Sequence, residues 1–304
     1  MTTNPPAPVS VSALTVLFGN TVDAMARTIR AFDNAARVGA ETGRISRLEL
    51  AYGDASPQPV VSADELAELR QDVERLAVTY TFFGENTGTS RGQNRLARAT
   101  DSDFVLICNP DVIPDGRALC RMLEVFASDP DVGLVEAKQL PVEHPKDYDR
   151  ATGETSWGSG AFSLVRRAAF EQVGGFDEDT FFLYCDDVDL SWRLREAGHR
   201  VVHQPAAVVF HDKQLTAGGE WMPTEAELYY SAEAALLLAH KWSRDDILDD
   251  VMRQLESSPQ EIHGQAVAAF RERRDTGTLA ARHDPEHRVG QFVAGNYAPH
   301  RFAL

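Results

Sequence analysis

Cysteine is scarce. The three in the chain, Cys108, Cys120 and Cys185, cannot all pair and show no metal-ligand spacing, which excludes a disulfide framework and a zinc module. The plain reading is reduced thiols in a cytoplasm. No apolar run approaches the roughly 20 residues that cross a bilayer, so no transmembrane segment is expected. Residues 1–11 are polar and Pro-rich, without a basic stretch ahead of an apolar core; they read as a flexible leader rather than a signal peptide. Basic residues are also short, 30 against 46 acidic, leaving a formal charge of −16. That field repels phosphate backbones, so nucleic acid is not an expected partner. A phosphorylated small molecule could still bind if a cation bridged it to carboxylates. There is no internal repeat and no low-complexity tract.

What is present is ordinary globular material. The 304 residues are 43% hydrophobic and 25% charged, enough for one large α/β domain and an appendage. Short apolar runs at 14–18, 47–52, 79–83, 103–108 and 132–136 read as strands. Between them lie amphipathic stretches, such as Met25, Ile29, Phe32 and Ala36, at helical spacing. Such alternation predicts a doubly wound, mostly parallel sheet with helices on both faces. Ligands of such sheets gather beyond the carboxyl ends of the strands. Residues 140–211 lose the regular beat and are rich in Gly, Phe and Asp. Beyond Pro223 the spacing predicts helices over 225–242, 245–255 and 259–273, then an irregular tail carrying His283, His287 and His300 with Arg282, Arg288 and Arg301.

Three segments carry chemistry. The first, Asn86-Thr-Gly-Thr-Ser-Arg-Gly-Gln-Asn94, is a Gly-rich turn before a helix, where glycine permits close approach to a ligand. The second, Asn109-Pro110-Asp111, follows an apolar strand. Alone it reads as a common turn, but a carboxylate there is placed to hold a hard divalent cation. The third runs through Gly174-Gly175-Phe176-Asp177 to Asp186, Asp187 and Asp189 at a helix start. One Asp would cap that helix; three in four positions exceed capping, and crowded carboxylates raise one another's pKa, as a general base requires.

In this order and spacing the three segments resemble the family 2 glycosyltransferases of GT-A fold, closest to the bacterial rhamnosyltransferase and galactofuranosyltransferase branch. The likeness rests on Asn86, Gly88, Gly92 and Asn94, then Asn109 and Asp111, then Gly174 through Asp177 with Asp186, Asp187, Asp189, Leu190, Arg193 and Gly198. It covers roughly residues 12–212. The resemblance implies an inverting, metal-dependent transfer of a sugar from a nucleotide-sugar donor to an acceptor hydroxyl. Asp187 would be the catalytic base. Asp111 and His211 would hold Mg²⁺ or Mn²⁺, although His211 also reads as a plain histidine at a strand end. Phe18, Gly19, Asp54, Ser56, Gly88, Asn94 and Asn109 would meet the donor; Trp157, Gly160, Asp186 and Asp189 would meet the acceptor.

Two departures stand out. Gly53-Asp54-Ala55-Ser56 carries its carboxylate one place later than the family's base-binding Asp, and Asp186 replaces a Glu. The Gln-x-x-Arg-Trp motif of processive members is absent, so one transfer per encounter is expected. The implied donor is dTDP- or UDP-linked, with a rhamnose-like sugar favoured. The acceptor would be a glycan, a lipid-linked glycan or a small molecule, and the location cytoplasmic or peripheral to a membrane. The expected divisions are a leader (1–11), a catalytic domain (12–222, with a nucleotide-sugar half at 12–137 and an acceptor half at 138–222) and a helical extension (223–304). That extension would pack on the catalytic domain or form a homodimer interface. Two rival readings are a nucleotidyltransferase, which would want basic residues near the first strand where residues 17–23 have none, and an inactive relative acting as a binding subunit.

Overall fold

The computed structural model describes residues 7–143, 147–212, 223–293 and 295–297. His300, Arg301 and the end of the expected catalytic domain, 213–222, lie outside them. In chain order the elements are β1 (Val9–Leu17), α1 (Val22–Glu41), β2 (Ile45–Asp54), α2 (Ala63–Gln71), β3 (Leu76–Phe82), α3 (Gly88–Ala99), β4 (Phe104–Cys108), β5 (Val112–Pro114), α4 (Ala118–Ser128), β6 (Val132–Leu140), β7 (Phe162–Arg166), α5 (Arg167–Gln172), α6 (Asp186–Glu196), β8 (Arg200–His211), α7 (Glu225–Lys241), α8 (Asp245–Glu256) and α9 (Glu261–Asp275).

Eight strands form one sheet in the order β3-β2-β1-β4-β7-β6-β8-β5. The β3-β2-β1-β4 half is parallel, and β6 pairs parallel with β8. Inserted between β4 and β6, β7 runs antiparallel to both, and β5 closes the edge antiparallel to β8. The expected doubly wound, mostly parallel sheet is therefore present, with β5 and β7 as additions. Both are very short, three and five residues, too little for a periodic signal.

The leader is shorter than expected. Val9–Val11 already pair with β2 and β4, because Val11 faces the core and is fully buried. In α1, Thr21 caps the first turn through Ala24 N–H, and Met25, Ile29, Phe32 and Ala36 bury one stripe against the sheet. A second core on the opposite face gathers Leu96, Phe170, Phe176, Leu190 and Leu194. A third joins α6 to the helical extension: Val188 and Trp192 pack with Leu236, Leu237, Trp242 and Phe270. Tyr229 and Tyr230, which the spacing predicts as exposed, are half-buried, and Tyr230 stacks on Phe182 at 4.6 Å.

Candidate functional site

A cavity of about 810 Å³ opens beyond the carboxyl ends of β1 and β4 and is lined by Phe18, Gly19, Asn109, Asp111, Trp157, Gly160, Asp186, Asp187 and His211 among others. Nine of the residues expected from the sequence thus meet in one place. Strand geometry explains it. β1 ends at Leu17 and β4 at Cys108, so Phe18-Gly19 and Asn109-Pro110-Asp111 are the first residues past adjacent parallel strands.

Asp111 and His211 form a pair. β5 and β8 register Val112 opposite His211, and the Asp212 N–H donates to the Asp111 carbonyl at 2.9 Å. His211 Nε2 then lies 3.2 Å from Asp111 Oδ1. Its Nδ1 is 2.8 Å from Gln139 Oε1, a contact that orients the ring with Nε2 toward the carboxylate. A proton can join these two atoms, and so can a metal cation bound by the carboxylate and the Nε2 of a neutral imidazole. Bonds of about 2.1 Å from one ion would set two adjacent ligands about 3 Å apart, which this pair matches. Among the described residues no group of three or more His, Cys, Asp or Glu could hold an ion by itself. The donor set suits a cation whose remaining positions are filled by water or substrate phosphates. Gln139, buried and orienting the ring, is a partner that sequence reading missed.

The second feature is the start of α6. Tyr184 and Cys185 both have positive φ, 68° and 56°, a sparsely populated conformation for non-glycine residues. This turn aims Asp186 and Asp187 at the cavity. Asp187 is half-buried; its Oδ2 accepts the Gly160 N–H at 2.8 Å and its Oδ1 the Val188 N–H at 2.8 Å. Gly160 sits in a loop anchored from beneath by buried Glu136, whose Oε1 accepts the Ser159 N–H at 2.9 Å. Asp186 is buried and accepts the hydroxyls of Thr89 and Ser90 at 2.8 and 3.2 Å. Burial, and then the charge of Asp187, push its carboxyl up to about 6.

Five expected site residues do not line the cavity. Asp54 is fully buried and accepts from Ser56 N–H, Val60 N–H and the Tyr80 hydroxyl at 2.9, 2.8 and 2.5 Å. Burial works to raise its carboxyl, and those bonds outweigh it, leaving it below the usual range. Ser56 uses its hydroxyl on the Gly19 N–H at 2.8 Å. Gly88 is required by protein, not ligand: at φ 62° an added Cβ would meet the Phe182 carbonyl. Asn94 clamps the Gly-Gly-Phe turn, donating to the Phe176 carbonyl and accepting its N–H, both at 2.9 Å. Asp189 is fully buried between Arg193 at 2.7 Å and Lys241 at 2.8 Å. Its assignment to the acceptor is corrected; it anchors the extension. Cavity residues absent from the expectation include Arg27, Thr28, Glu143, Tyr184, Glu227 and Tyr297. The last two come from the extension, and nothing in their local sequence marks them.

No family model matches the chain. Over 62 residues, 20% of this chain and 20% of the relative, it is 53% identical to the N-acetylglucosaminyl-diphospho-decaprenol L-rhamnosyltransferase of Mycobacterium tuberculosis. Over 179 residues, 53% of this chain and 43% of the relative, it is 27% identical to the poly-beta-1,6-N-acetyl-D-glucosamine synthase of Staphylococcus aureus. The chain thus spans less than half the length of either relative. Among solved structures, the Pyrobaculum calidifontis mannosyltransferase in complex with GDP-Man and Mn²⁺ covers 92% of this chain and 78% of its own at a TM-score of 0.58 and 15% identity. The likeness to family 2 glycosyltransferases read from the motifs holds in these relatives, and the fold is GT-A.

Proposed function

We propose that the chain is an inverting, non-processive glycosyltransferase that moves a sugar from a nucleotide-sugar to an acceptor hydroxyl. The observation that carries this reading is the joining, in one cavity, of the Asp111–His211 pair and the Asp187 carboxylate. The L-rhamnosyltransferase relative supports a rhamnose-like sugar, and the proposed carrier is dTDP or UDP. The N-acetylglucosaminyl-diphospho-decaprenol in that relative's name supports a lipid-linked glycan as acceptor.

Asp111 and His211 would hold a divalent cation, which when bound neutralises charge on the departing diphosphate. Asp187 would take the proton of the attacking hydroxyl. The acceptor oxygen bonds to the anomeric carbon as the bond from that carbon to the phosphate oxygen breaks; the proton ends on Asp187 and the nucleoside diphosphate leaves. One displacement with the base opposite the leaving group inverts the anomeric centre. The Gly160 N–H holds the Asp187 carboxylate in place at the start of α6.

Thermal melting with UDP, dTDP and GDP, each with Mn²⁺ and with EDTA, tests the reading. A larger stabilisation with Mn²⁺, lost in Asp111→Ala and weakened in His211→Ala but kept in Asp187→Ala, is the expected pattern. Equal shifts with Mn²⁺ and EDTA would remove the metal from the scheme, and no shift with any nucleotide would remove the donor.

A further inference from the structure

Arg27 is the one basic side chain, Lys or Arg, among the described residues lining the cavity, against the carboxylates of Asp111, Glu143, Asp186, Asp187, Asp212 and Glu227. It is fixed beside the Asn-Pro-Asp turn by two routes. Its neighbour Thr28 donates its hydroxyl to the Pro110 carbonyl at 3.2 Å. Its own Nη2 lies 3.2 Å from Asp212 Oδ2, and Asp212 is tied by its N–H to the Asp111 carbonyl. Thr21, which caps α1, and Ala24 and Thr28 within it also line the cavity, so the first turns of α1 form one side of the site.

We propose that the Arg27 guanidinium is a ligand of the donor's diphosphate, exchanging Asp212 for phosphate oxygens when the donor enters. The inference rests on the donor reading above. The donor's diphosphate carries two negative charges and the departing nucleoside diphosphate a third, one more than a divalent cation cancels, in a cavity otherwise rich in carboxylates. The Arg27–Asp212 pair is about half-exposed on both sides, and such pairs are weak enough to exchange. A guanidinium offers paired N–H groups that match phosphate oxygens. Arg27 then selects for the diphosphate, while the nucleoside is read elsewhere.

The test is titration calorimetry in saturating Mn²⁺ on wild type, Arg27→Gln, Arg27→Lys and Asp212→Asn, using whichever of UDP, dTDP and GDP binds wild type best, together with its monophosphate and free nucleoside. Arg27→Gln is expected to weaken the diphosphate about tenfold or more, to weaken the monophosphate less, and to leave the nucleoside unchanged. Arg27→Lys should recover part of the loss, and Asp212→Asn should not reproduce it. Unchanged diphosphate affinity in Arg27→Gln overturns the inference while leaving the donor reading intact. Equal losses in Arg27→Gln and Asp212→Asn also overturn it, since Arg27 would then act only by ordering its partner. A wild type that binds none of the three diphosphates removes the donor reading and this inference with it.

Discussion

Asp186 and Asp187 are neighbours in sequence that meet different surroundings. Asp186 is enclosed by Thr89 and Ser90, whereas Asp187 is half-buried beside the Gly160 amide. A positioned base contributes about 10²–10⁴ in rate, so Asp187→Asn should lower turnover by about that factor with donor affinity little changed. Steady-state transfer with donor titration decides it; near-wild-type turnover in Asp187→Asn alongside a collapse in Asp186→Asn would exchange the roles. Asp186 also makes a stability prediction. Its folded carboxyl titrates near 6 against 3.8 ordinarily, so the folded state keeps a proton that the unfolded chain has lost between those values. Stability is present below that window and lost as pH rises through it, a cost of up to about 3 kcal/mol above it. Asp186→Asn carries no charge, and the hydroxyls of Thr89 and Ser90 can still donate to its amide oxygen. It should therefore gain on wild type as pH rises from 4 to 7 in urea melts. A difference independent of pH would contradict the buried charge.

At the scale of elements, α6 carries both the reactive end and its tether. Two residues on from Asp187, Asp189 is held by Arg193, Lys241 and the Trp242 indole N–H, the last at 3.1 Å. Lys241 also meets Asp177 at 2.6 Å; burial pushes the Asp177 carboxyl up, and the lysine's charge together with hydrogen bonds from Lys241 and Thr180 outweighs it, leaving it below its usual value. Removing one partner of a buried charge cluster strands the others, typically costing about 3–5 kcal/mol. Lys241→Met should lose about that much in chemical denaturation, and a loss below about 1 kcal/mol would mean the triad is decorative. The same triad shows where sequence reading stops. Local pattern placed Asp186, Asp187 and Asp189 at a helix start, but the partner that makes Asp189 structural lies 52 residues on, in a helix with no motif. Asn94 is parallel: its motif position was legible, while its clamp on Phe176, 82 residues away, was not. Asp111 falls at a motif position, whereas His211 is reached only through the family resemblance, and Gln139, which orients the imidazole, has no mark at all.

For the whole molecule the division at residue 223 is a change of pattern rather than of core. Trp192 of α6 meets Trp242 edge-on at 5.2 Å, and Trp157, beside the reactive loop, meets Tyr297 at 5.3 Å. Val188, Trp192, Leu236, Leu237 and Phe270 belong to one apolar cluster, so neither the extension nor the α6 end of the catalytic domain can bury its apolar face alone. Elements that share a core lose their packing together, and a chain built this way unfolds as a unit. Far-ultraviolet dichroism reports helices throughout the chain, whereas in a Trp221→Phe background, which removes the fourth tryptophan, fluorescence reports the Trp157–Trp192–Trp242 junction. The two should give coincident urea transitions, and the Lys241→Met protein should shift both by the same amount. An early fluorescence transition, with most of the helix signal intact, would mean that the extension detaches first. The tether at Asp189 would then be a hinge between two units, and Asp187 would owe its placement to the Gly160 loop alone.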